Sequence, residues 1–462
     1  MRRLVAVVVA CCWGLLAVGV GQAAGKPVPG SIDRSFGDRG VVVRPPGPVP
    51  VSSPYGPFGE DMVVGPRNEI FVLQGYQDCG GADCTVEFAI QRYLPDGTLD
   101  SQFGQGGSSA RFAVTMEYPL PESRSFGALA VGSDGEPVVA TTDHGNVALF
   151  RFDTRGQLSG GFGSGGIVIS DFGGSERRPA IAIDRKGRIV IASGSVQRPD
   201  FGSAVILARY LPDGALDPSF GAGLQESRDP GWMVIPGLMP GALGLSGTGG
   251  PVVAGAGCCI GADAVYSGRR DENGGLLGGA TTSHPWRYLR AGGNPWVTSV
   301  IARPHGKVYL AGVSNRGLFA ARLQSSGRPD RSFGNAGLVW FPAMSNGASP
   351  AIADSSGRLY VAGQRWSNGG SPSRGIVARL TAKGRHDRSW GRNPRGYARL
   401  TTDIDNVRAM GFQSNGRLVL FGEIQGECVR GCSLPGQTLT RVFAGPSPRR
   451  GHAHGVKSGD HR

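Results

Sequence analysis

Asp217-Pro218-Ser219-Phe220-Gly221 is one copy of a segment, Asp-x-Ser-Phe-Gly, that recurs in variant forms along almost the whole chain. Successive copies place their aromatic residue 67, 59, 58, 113 and 57 residues apart. These residues are Phe36, Phe103, Phe162, Phe220, Phe333 and Trp390. Because 113 residues is close to two periods, a degenerate copy is expected near Leu276, which makes seven units. A period of this length holds one four-stranded sheet and exceeds most helical repeats.

The residues around Phe220 have the pattern of four strands in one unit. Pro179–Asp184 is a short apolar segment, Arg188–Ala192 returns after a hairpin turn, and Ala204–Tyr210 follows as a third strand. The turn Leu211-Pro212-Asp213-Gly214 then leads through the motif to an outer strand. The chain holds 78 Gly and 32 Pro among 462 residues, which suits short strands and tight turns. We predict an all-β, seven-bladed β-propeller with four antiparallel strands in each blade.

The motif itself is expected to be structural. Asp can accept hydrogen bonds from the amides that follow it, Phe or Trp can wedge between adjacent sheets, and Gly takes backbone angles that other residues resist. A catalytic group repeated seven times would make little sense. The repeat therefore predicts architecture and leaves the chemistry open.

The two ends of the chain complement each other. Ile32–Gly37 and Val41–Val43 have the pattern of the last quarter of a unit, and Thr438–Ala444 resembles a third strand that lacks its fourth. Joining them would complete the seventh blade and leave no open sheet edge. We predict one propeller domain over residues 26–444, built from repeats of about 58 residues.

Residues outside this domain predict export. Arg2 and Arg3 precede an apolar run from Leu4 to Val20 and small residues to Gly25, so residues 1–25 are predicted to be a signal peptide. An uncleaved membrane anchor is the alternative, but the run is slightly short for a span. No later segment is apolar enough to cross a membrane. Residues 445–462 are polar and are predicted to be a disordered basic tail. We expect a secreted, periplasmic or envelope-associated monomer.

Cysteine usage agrees with an oxidising compartment. Six cysteines follow the apolar run in three close pairs, each after a β-like segment of its own repeat: Cys79 with Cys84, Cys258 with Cys259, and Cys428 with Cys432. Local disulfides are the simplest outcome. A metal site would need ligands from several blades, and no His accompanies the pairs at zinc-finger spacing. We predict no metal site.

The units resemble a known family. Leu-Pro-Asp-Gly-x-Leu-Asp-x-x-Phe-Gly, followed by an inner strand and a segment such as Gly187–Gly194, is similar to the delta-sixty repeat of exported bacterial proteins. The resemblance covers nearly the whole domain and implies a propeller-like all-β fold with an envelope or secreted location. It implies no reaction and no catalytic residues. The copy at Ser267–Gly275 has lost the Phe-Gly element, so the geometry over residues 262–290 is the least defined.

No familiar catalytic signature is present, so candidate residues come from loops that depart from the repeat. Arg178, Trp296 and Arg408 lie in loops before inner strands and are predicted to form an aromatic and cationic rim for a sugar or an acidic group. The alternative is that they are ordinary loop residues. Weaker candidates are Glu60 with Asp61, Asp403 with Asp405 for calcium, His284 as a base, and the loop Arg228–Pro240 as a partner surface.

These features favour a non-catalytic binding or interaction module whose partner is a glycan, an envelope polymer or a protein. The alternative is a propeller enzyme, a lyase, hydrolase or quinone-dependent sugar dehydrogenase, with residues that converge from several blades. A purely architectural surface protein is a third possibility. The formal net charge is +13, but the charges are scattered along the sequence. The sequence has no clustered basic helix of the kind that binds nucleic acid, so a nucleic-acid partner is not expected. The sequence indicates no particular cofactor.

Overall fold

The computed structural model describes residues 27–44, 55–78, 83–117, 127–198, 202–224, 227–236, 238–257, 264–277, 287–342, 344, 349–365, 374–391, 396–400, 404–424 and 436–445. These residues form β-strands and one short 3-10 turn, Pro304–Gly306. In chain order the strands are β1 (Val41–Arg44), β2 (Tyr55–Val64), β3 (Ile70–Asp78), β4 (Asp83–Tyr93), β5 (Phe112–Glu117), β6 (Ala128–Val131), β7 (Pro137–Asp143), β8 (Asn146–Arg151), β9 (Ile167–Ser170), β10 (Ser175–Ile183), β11 (Ile189–Arg198), β12 (Gly202–Tyr210), β13 (Ser227–Asp229), β14 (Trp232–Pro236), β15 (Leu238–Leu245), β16 (Pro251–Gly257), β17 (Ala264–Arg269), β18 (Arg287–Arg290), β19 (Trp296–Ala302), β20 (Val308–Ser314), β21 (Gly317–Leu323), β22 (Leu338–Phe341), β23 (Ala351–Ala353), β24 (Leu359–Arg365), β25 (Arg374–Leu380), β26 (Tyr397–Arg399), β27 (Asn406–Phe412), β28 (Arg417–Ile424) and β29 (Gly436–Phe443).

The strands form seven antiparallel sheets, which confirms the predicted seven-bladed propeller. Blade 1 is β2–β5, blade 2 is β6–β9, blade 3 is β10–β14, blade 4 is β15–β18, blade 5 is β19–β22, blade 6 is β23–β26, and blade 7 is β27–β29 with β1. The degenerate unit near Leu276 is therefore a complete four-stranded blade. Each inner strand contacts the inner strand of the next blade, and β27 contacts β2, so the ring is closed.

Blade 7 is assembled from both ends of the chain, as predicted. Strand β1 pairs antiparallel with β29, from Val41 opposite Thr440 to Arg44 opposite Gln437. This pairing supplies the outermost strand of the blade. The first and last described strands therefore hydrogen-bond to each other and leave no gap in the ring.

The two ends also share a turn. The amide of Gly30 donates to Phe443 O at 2.6 Å, and the amide of Phe443 donates to Ser31 O at 2.9 Å. The equivalent bonds in blade 1 close one continuous turn over residues 94–98. The hydrogen bonds of this turn are therefore kept in blade 7 although two separate segments make it.

The hydrophobic core lies between the blades. Seven buried clusters each combine residues from two neighbouring blades. Between blades 1 and 2, for example, the rings of Phe112 and Phe150 lie 4.3 Å apart. Because both faces of most strands are covered, the middle strands are almost continuously apolar, as in Ile189–Ala192, which is fully buried.

The connection between third and fourth strands, which we call the corner, carries the Asp-x-Ser-Phe-Gly motif. In blade 3 the Asp217 carboxylate accepts the amide of Ser219 at 3.0 Å, which confirms the predicted Asx-type turn. Phe220 is fully buried between blades 3 and 4, which confirms the predicted wedge. The amide of the next residue, Gly221, donates to Asn273 O of blade 4 at 2.8 Å. The same glycine bond recurs from every blade except blade 4 among the described residues, so the motif joins these blades to the next.

An arginine near the end of the third strand completes this junction. In blade 3 the Arg209 side chain is fully buried, with Nε 2.8 Å from Asp217 Oδ2 and Nη2 2.9 Å from Ser219 Oγ. Its guanidinium carbon lies 4.7 Å from the centre of the Phe220 ring. Its Nη1 donates to the carbonyl of Glu272 in blade 4. One side chain therefore connects the motif of its own blade with the backbone of the next.

The same inter-blade bond recurs around the whole ring. Each arginine uses Nη1 to reach a carbonyl in the turn of the following blade: Arg92 to Thr154, Arg151 to Pro212, Arg209 to Glu272, Arg269 to Ser325, Arg322 to Ala382, Arg379 to Ala444, and Arg441 to Pro95. The last of these bonds joins blade 7 to blade 1. We call this set of seven the arginine clamp.

The structure corrects the prediction of a long loop over Arg228–Pro240. This segment holds β13, the fourth strand β14 of blade 3, and the start of β15 in blade 4. Trp232 and Met233, which lie in this predicted partner surface, are buried in the core. Strand β13 pairs outside β14, so blade 3 has a fifth, short strand.

Candidate functional site

Arg178 and Trp296, two of the three predicted rim residues, lie against each other. The guanidinium carbon of Arg178 is 5.2 Å from the centre of the Trp296 ring, and both side chains are half-buried. Arg178 belongs to the inner strand of blade 3 and Trp296 begins the inner strand of blade 5. The pair therefore spans blade 4 and joins two blades that are not neighbours. We call it the Arg178–Trp296 platform.

The backbone around Arg178 departs from regular strand geometry. The register of β10 against β11 shifts between Arg177 and Ala180, so a bulge replaces regular pairing there. Within this bulge Arg178 has a positive φ of 52°, which non-glycine residues seldom adopt. Asn294, two residues before Trp296, has a φ of 50°. Register shifts of this kind recur in the inner strands of blades 1, 4, 5 and 7, so the bulge belongs to the repeat, and the positive φ of Arg178 is the local departure.

The platform combines two recognition chemistries. An indole ring offers a broad apolar face on which a sugar ring can stack, and a guanidinium offers paired N–H groups for a carboxylate or phosphate. Stacking the cation on the ring contributes about 1 kcal/mol and orients both groups. The arrangement suits a ligand that carries an apolar ring face beside a negative charge.

Arg408, the third predicted rim residue, pairs within its own blade. Its Nη2 lies 3.0 Å and 3.1 Å from the two carboxylate oxygens of Glu423 on the neighbouring strand. Both side chains are only 14% exposed. The charge of Arg408 is therefore already neutralised, and its proposed role in ligand binding remains a prediction.

Asp61, in the inner strand of blade 1, has a carboxylate whose pKa is raised above its ordinary value. Its oxygens accept the amide of Met62 at 2.8 Å and the amide of Leu129, in blade 2, at 3.0 Å. Burial raises the pKa of Asp61 to about 6, and these two N–H donors only partly oppose the shift. Ser299 makes the equivalent link from blade 5, where its hydroxyl accepts the amide of Ala351 at 2.9 Å. Asp61 therefore ties two inner strands together.

The remaining candidates contribute little to a site within the described residues. Asp405 is buried and its amide donates to Glu423 O, whereas Asp403 and His284 lie outside the residues that the structure describes. In that described part, no group of three or more His, Cys, Asp or Glu side chains could hold a metal ion.

The predicted disulfides fall largely outside the described residues. Cys79, Cys258, Cys259, Cys428 and Cys432 all lie there. Cys84 is described and is fully buried in β4, where Gln77 Nε2 lies 3.8 Å from its Sγ. All three pairings remain predictions.

Sequence reasoning missed the arginine clamp, although a signal was present. An arginine stands among the last three residues of the third strand in all seven units, including the degenerate one. The Phe-Gly motif does not include this arginine, which lies about eight residues upstream of the motif aspartate.

Among the described residues, no helical segment has the length and apolar character that crossing a bilayer requires.

Comparison with known families agrees with the fold. Residues 187–220 and 355–389 match the model of a β-propeller domain described as a domain of unknown function, DUF5122. These segments cover the second strand, third strand and corner of blade 3 and the corresponding part of blade 6. The match supports a propeller repeat family. A search of curated protein sequences gives no match.

Three of the solved structures similar to this chain are of enzymes. Virginiamycin B lyase from Staphylococcus aureus, in a catalytically inactive form with quinupristin, is 11% identical with a TM-score of 0.40, over 87% of this chain and 98% of that one. An acylaminoacyl peptidase from Pyrococcus horikoshii is 9% identical with a TM-score of 0.45, over 90% of this chain and 54% of that one. An endo-arabinase from Bacteroides thetaiotaomicron is 12% identical with a TM-score of 0.32, over 71% and 98%. At these identities the likeness is one of fold alone.

Proposed function

We propose that this chain is an exported propeller of the delta-sixty repeat type that acts as a binding module, and that the Arg178–Trp296 platform binds an acidic saccharide of the cell envelope or its surroundings. The observation that carries the proposal is the stacking of Arg178 on Trp296 at 5.2 Å across two non-neighbouring blades. The apolar run in residues 1–25 supports export.

The chemistry of the platform favours this ligand class over a neutral or cationic one. Trp296 can stack on the apolar face of a pyranose ring, and Arg178 can pair with a carboxylate on the same sugar. A cationic ligand would be repelled by Arg178. The basic character of the chain, with 48 Lys and Arg against 35 Asp and Glu, adds long-range attraction for anions.

A propeller enzyme is the second candidate, and Asp61 is the observation that favours it. A carboxylate with a pKa raised to about 6 is a common feature of catalytic sites. However, both Asp61 oxygens accept backbone amides of blades 1 and 2, which is sufficient to explain its presence. A binding module therefore accounts for more of the observations than an enzyme does.

Calorimetric titration of the purified protein with acidic and neutral oligosaccharides tests the platform. We expect Trp296→Ala to weaken binding of an acidic oligosaccharide at least tenfold, because the stacking surface is lost. Arg178→Gln should reduce the preference for acidic over neutral sugars. Trp340→Ala is the matched control, since Trp340 is half-buried on the outer strand β22 of the same blade. Equal affinities for Trp296→Ala and Trp340→Ala, or no saccharide binding by the native protein, would reject the proposal.

A further inference from the structure

The corners of blades 5, 6 and 7 carry a set of exposed cations. We define these corners as residues 324–337, 381–391 and 28–40. Their lysine and arginine side chains are all exposed to solvent: Arg328, Arg331, Lys383, Arg385, Arg388, Arg34 and Arg39. We call this set the basic arc. Seven exposed cations therefore lie on the corners of three consecutive blades.

Acidic residues in these corners do little to offset the arc. Asp330, Asp387 and Asp33 of the motif are each paired with a clamp arginine, at 2.8–2.9 Å from its Nε. The clamp arginines therefore already neutralise the charges of these three carboxylates. In the described corners of blades 5 to 7, Asp38 is the one acid that is exposed.

The arc is continuous in space because adjacent corners hydrogen-bond to each other. The amide of Gly334, in blade 5, donates to Lys383 O of blade 6 at 2.9 Å. The amide of Gly391, in blade 6, donates to Pro29 O of blade 7 at 2.8 Å. Each basic corner therefore lies directly beside the next, and their side chains share one edge of the molecule.

The equivalent corners of blades 1 to 4 have the opposite character. In residues 94–107, 153–166, 211–224 and 271–277, the acids outside the motif are Asp96, Asp153, Asp213, Asp271 and Glu272. The same corners carry a single cation, Arg155. Because the turn and its hydrogen bonds recur around the ring, this difference lies in the side chains and is not required by the fold.

We infer that the basic arc is a docking surface for an acidic polysaccharide chain that runs along the corners of blades 5 to 7. Six of its seven cations are arginines, whose paired N–H groups match carboxylates. The corners of blades 1 to 4 offer the same chain fewer cations, although Glu272 there is itself paired with Lys186 at 3.2 Å. This surface is separate from the Arg178–Trp296 platform and does not depend on it.

The chemistry of the arc favours a polysaccharide over a nucleic acid or a lipid surface. Single-stranded nucleic acid would need exposed aromatic side chains for base stacking, and a bilayer would favour exposed apolar ones. The aromatic residues of these corners, Phe333, Trp390 and Phe36, are fully buried. In the described part of the chain, the large exposed hydrophobic residues lie elsewhere: Val43, Leu94, Ile169 and Leu277.

The test compares two triple variants of the full chain in binding to polygalacturonate at low and at moderate salt. The first variant, Arg328→Gln with Arg331→Gln and Arg385→Gln, removes three charges from the arc. The second, Arg67→Gln with Arg155→Gln and Arg185→Gln, removes three exposed charges from blades 1 to 3. We expect the arc variant to bind about tenfold more weakly and to show a smaller salt dependence, and the matched control to change by less than about threefold.

Two further measurements distinguish the basic arc from the platform and from a surface that attracts any polyanion. Trp296→Ala should keep the salt dependence of polygalacturonate binding, which the arc variant loses, whatever its effect on short acidic oligosaccharides, so that loss of the platform and loss of the arc give different results. Vesicles of anionic phospholipid and single-stranded DNA of similar charge serve as competing probes. Equal weakening in both triple variants, or tighter binding to vesicles or DNA than to polygalacturonate, would overturn the inference.

Discussion

Blades 3 and 4 stand side by side but differ at their corners. In blade 3 the buried Arg209 is paired with Asp217 and lies over Phe220. In blade 4 the equivalent Arg269 still donates to the turn of the next blade, but Leu277 occupies the place of the aspartate. The amide of Leu277 donates to Arg269 O at 2.9 Å, as that of Asp217 donates to Arg209 O. Blade 4 is thus a natural variant of the corner that lacks the motif aspartate.

The difference separates two roles within the motif. The clamp arginine joins one blade to the next in both cases, so this bond does not need the aspartate. The aspartate instead neutralises a charge that the clamp has buried. Burial lowers the pKa of both arginines, but only at Arg209 do carboxylates, those of Asp217 and Asp184, oppose the shift. A partly buried charge without a counter-charge is costly, and Arg269 in blade 4 bears that cost.

The largest effect is expected when blade 3 loses its acid. Asp217→Asn keeps an oxygen that can accept the amide of Ser219 but removes the charge beside Arg209, which is fully buried. We expect the free energy of unfolding to fall by about 3 kcal/mol, because the arginine loses its directly paired counter-charge. Urea denaturation of the purified variant measures this change.

Asp271→Asn in blade 4 provides the matched control. The Asp271 carboxylate accepts the amides of Asn273 and Gly275, both at 2.8 Å, within its own turn. Asparagine can still accept there, so we expect a loss below about 0.5 kcal/mol. If the two variants lost equal stability, the aspartate of blade 3 would have no special role in neutralising the clamp.

The second prediction concerns how the same pair responds to acid. Burial of Asp217 tends to raise its pKa, but the Ser219 hydroxyl and amide together with Arg209 outweigh it, and the pKa lies below its ordinary value of 3.8. A lowered pKa in the folded state stabilises the protein above the unfolded value, and this stability is lost as the pH falls through the folded value. The gap in unfolding free energy between the native protein and Asp217→Asn should therefore be full above about pH 5 and shrink below about pH 3.

Unfolding curves of both proteins, measured at several pH values from neutral to strongly acidic, report this gap. Asp330 and Asp387, whose pKa values are lowered in the same way, contribute equally to the two proteins and cancel in the difference. A gap that stayed constant over this range would show that Asp217 acts through its shape and not through its charge.

The architecture could be predicted because the repeat is a physical unit. The period defines the size of a blade, and the complementary ends predict the closure of blade 7. The arginine clamp was missed, although its seven residues lie 59, 58, 60, 53, 57 and 62 residues apart and are kept even where Phe-Gly is lost. A single arginine at the end of a strand has the pattern of an ordinary polar residue, and only the radial packing shows that it reaches the next blade.

The candidate site could be predicted only in part. Loops that depart from the repeat led to Arg178 and Trp296, but their contact spans blade 4, and no spacing along the chain encodes it. The pairing of Arg408 with Glu423 is easier to predict from the sequence than the contact of Arg178 with Trp296, because Arg408 and Glu423 belong to one hairpin formed by β27 and β28. Trp232 was placed in a loop because the extra strand β13 lengthens blade 3 and displaces the fourth strand from its usual spacing.

The smallest expected effect comes from restoring the acid to blade 4. Leu277 is 39% exposed and stands where Asp217 stands in blade 3, so Leu277→Asp places a carboxylate beside Arg269, whose buried Nε has no hydrogen-bond partner among the described residues. We expect a gain of about 1 kcal/mol in unfolding free energy near neutral pH, because removal of an exposed leucine costs little and the buried cation acquires a counter-charge. Leu277→Asn is the control, since it has the same shape without the charge. The gain should vanish below about pH 3, where the new carboxylate is protonated, and an equal gain for both variants would mean that the loss of leucine, and not the pairing of Arg269, is responsible.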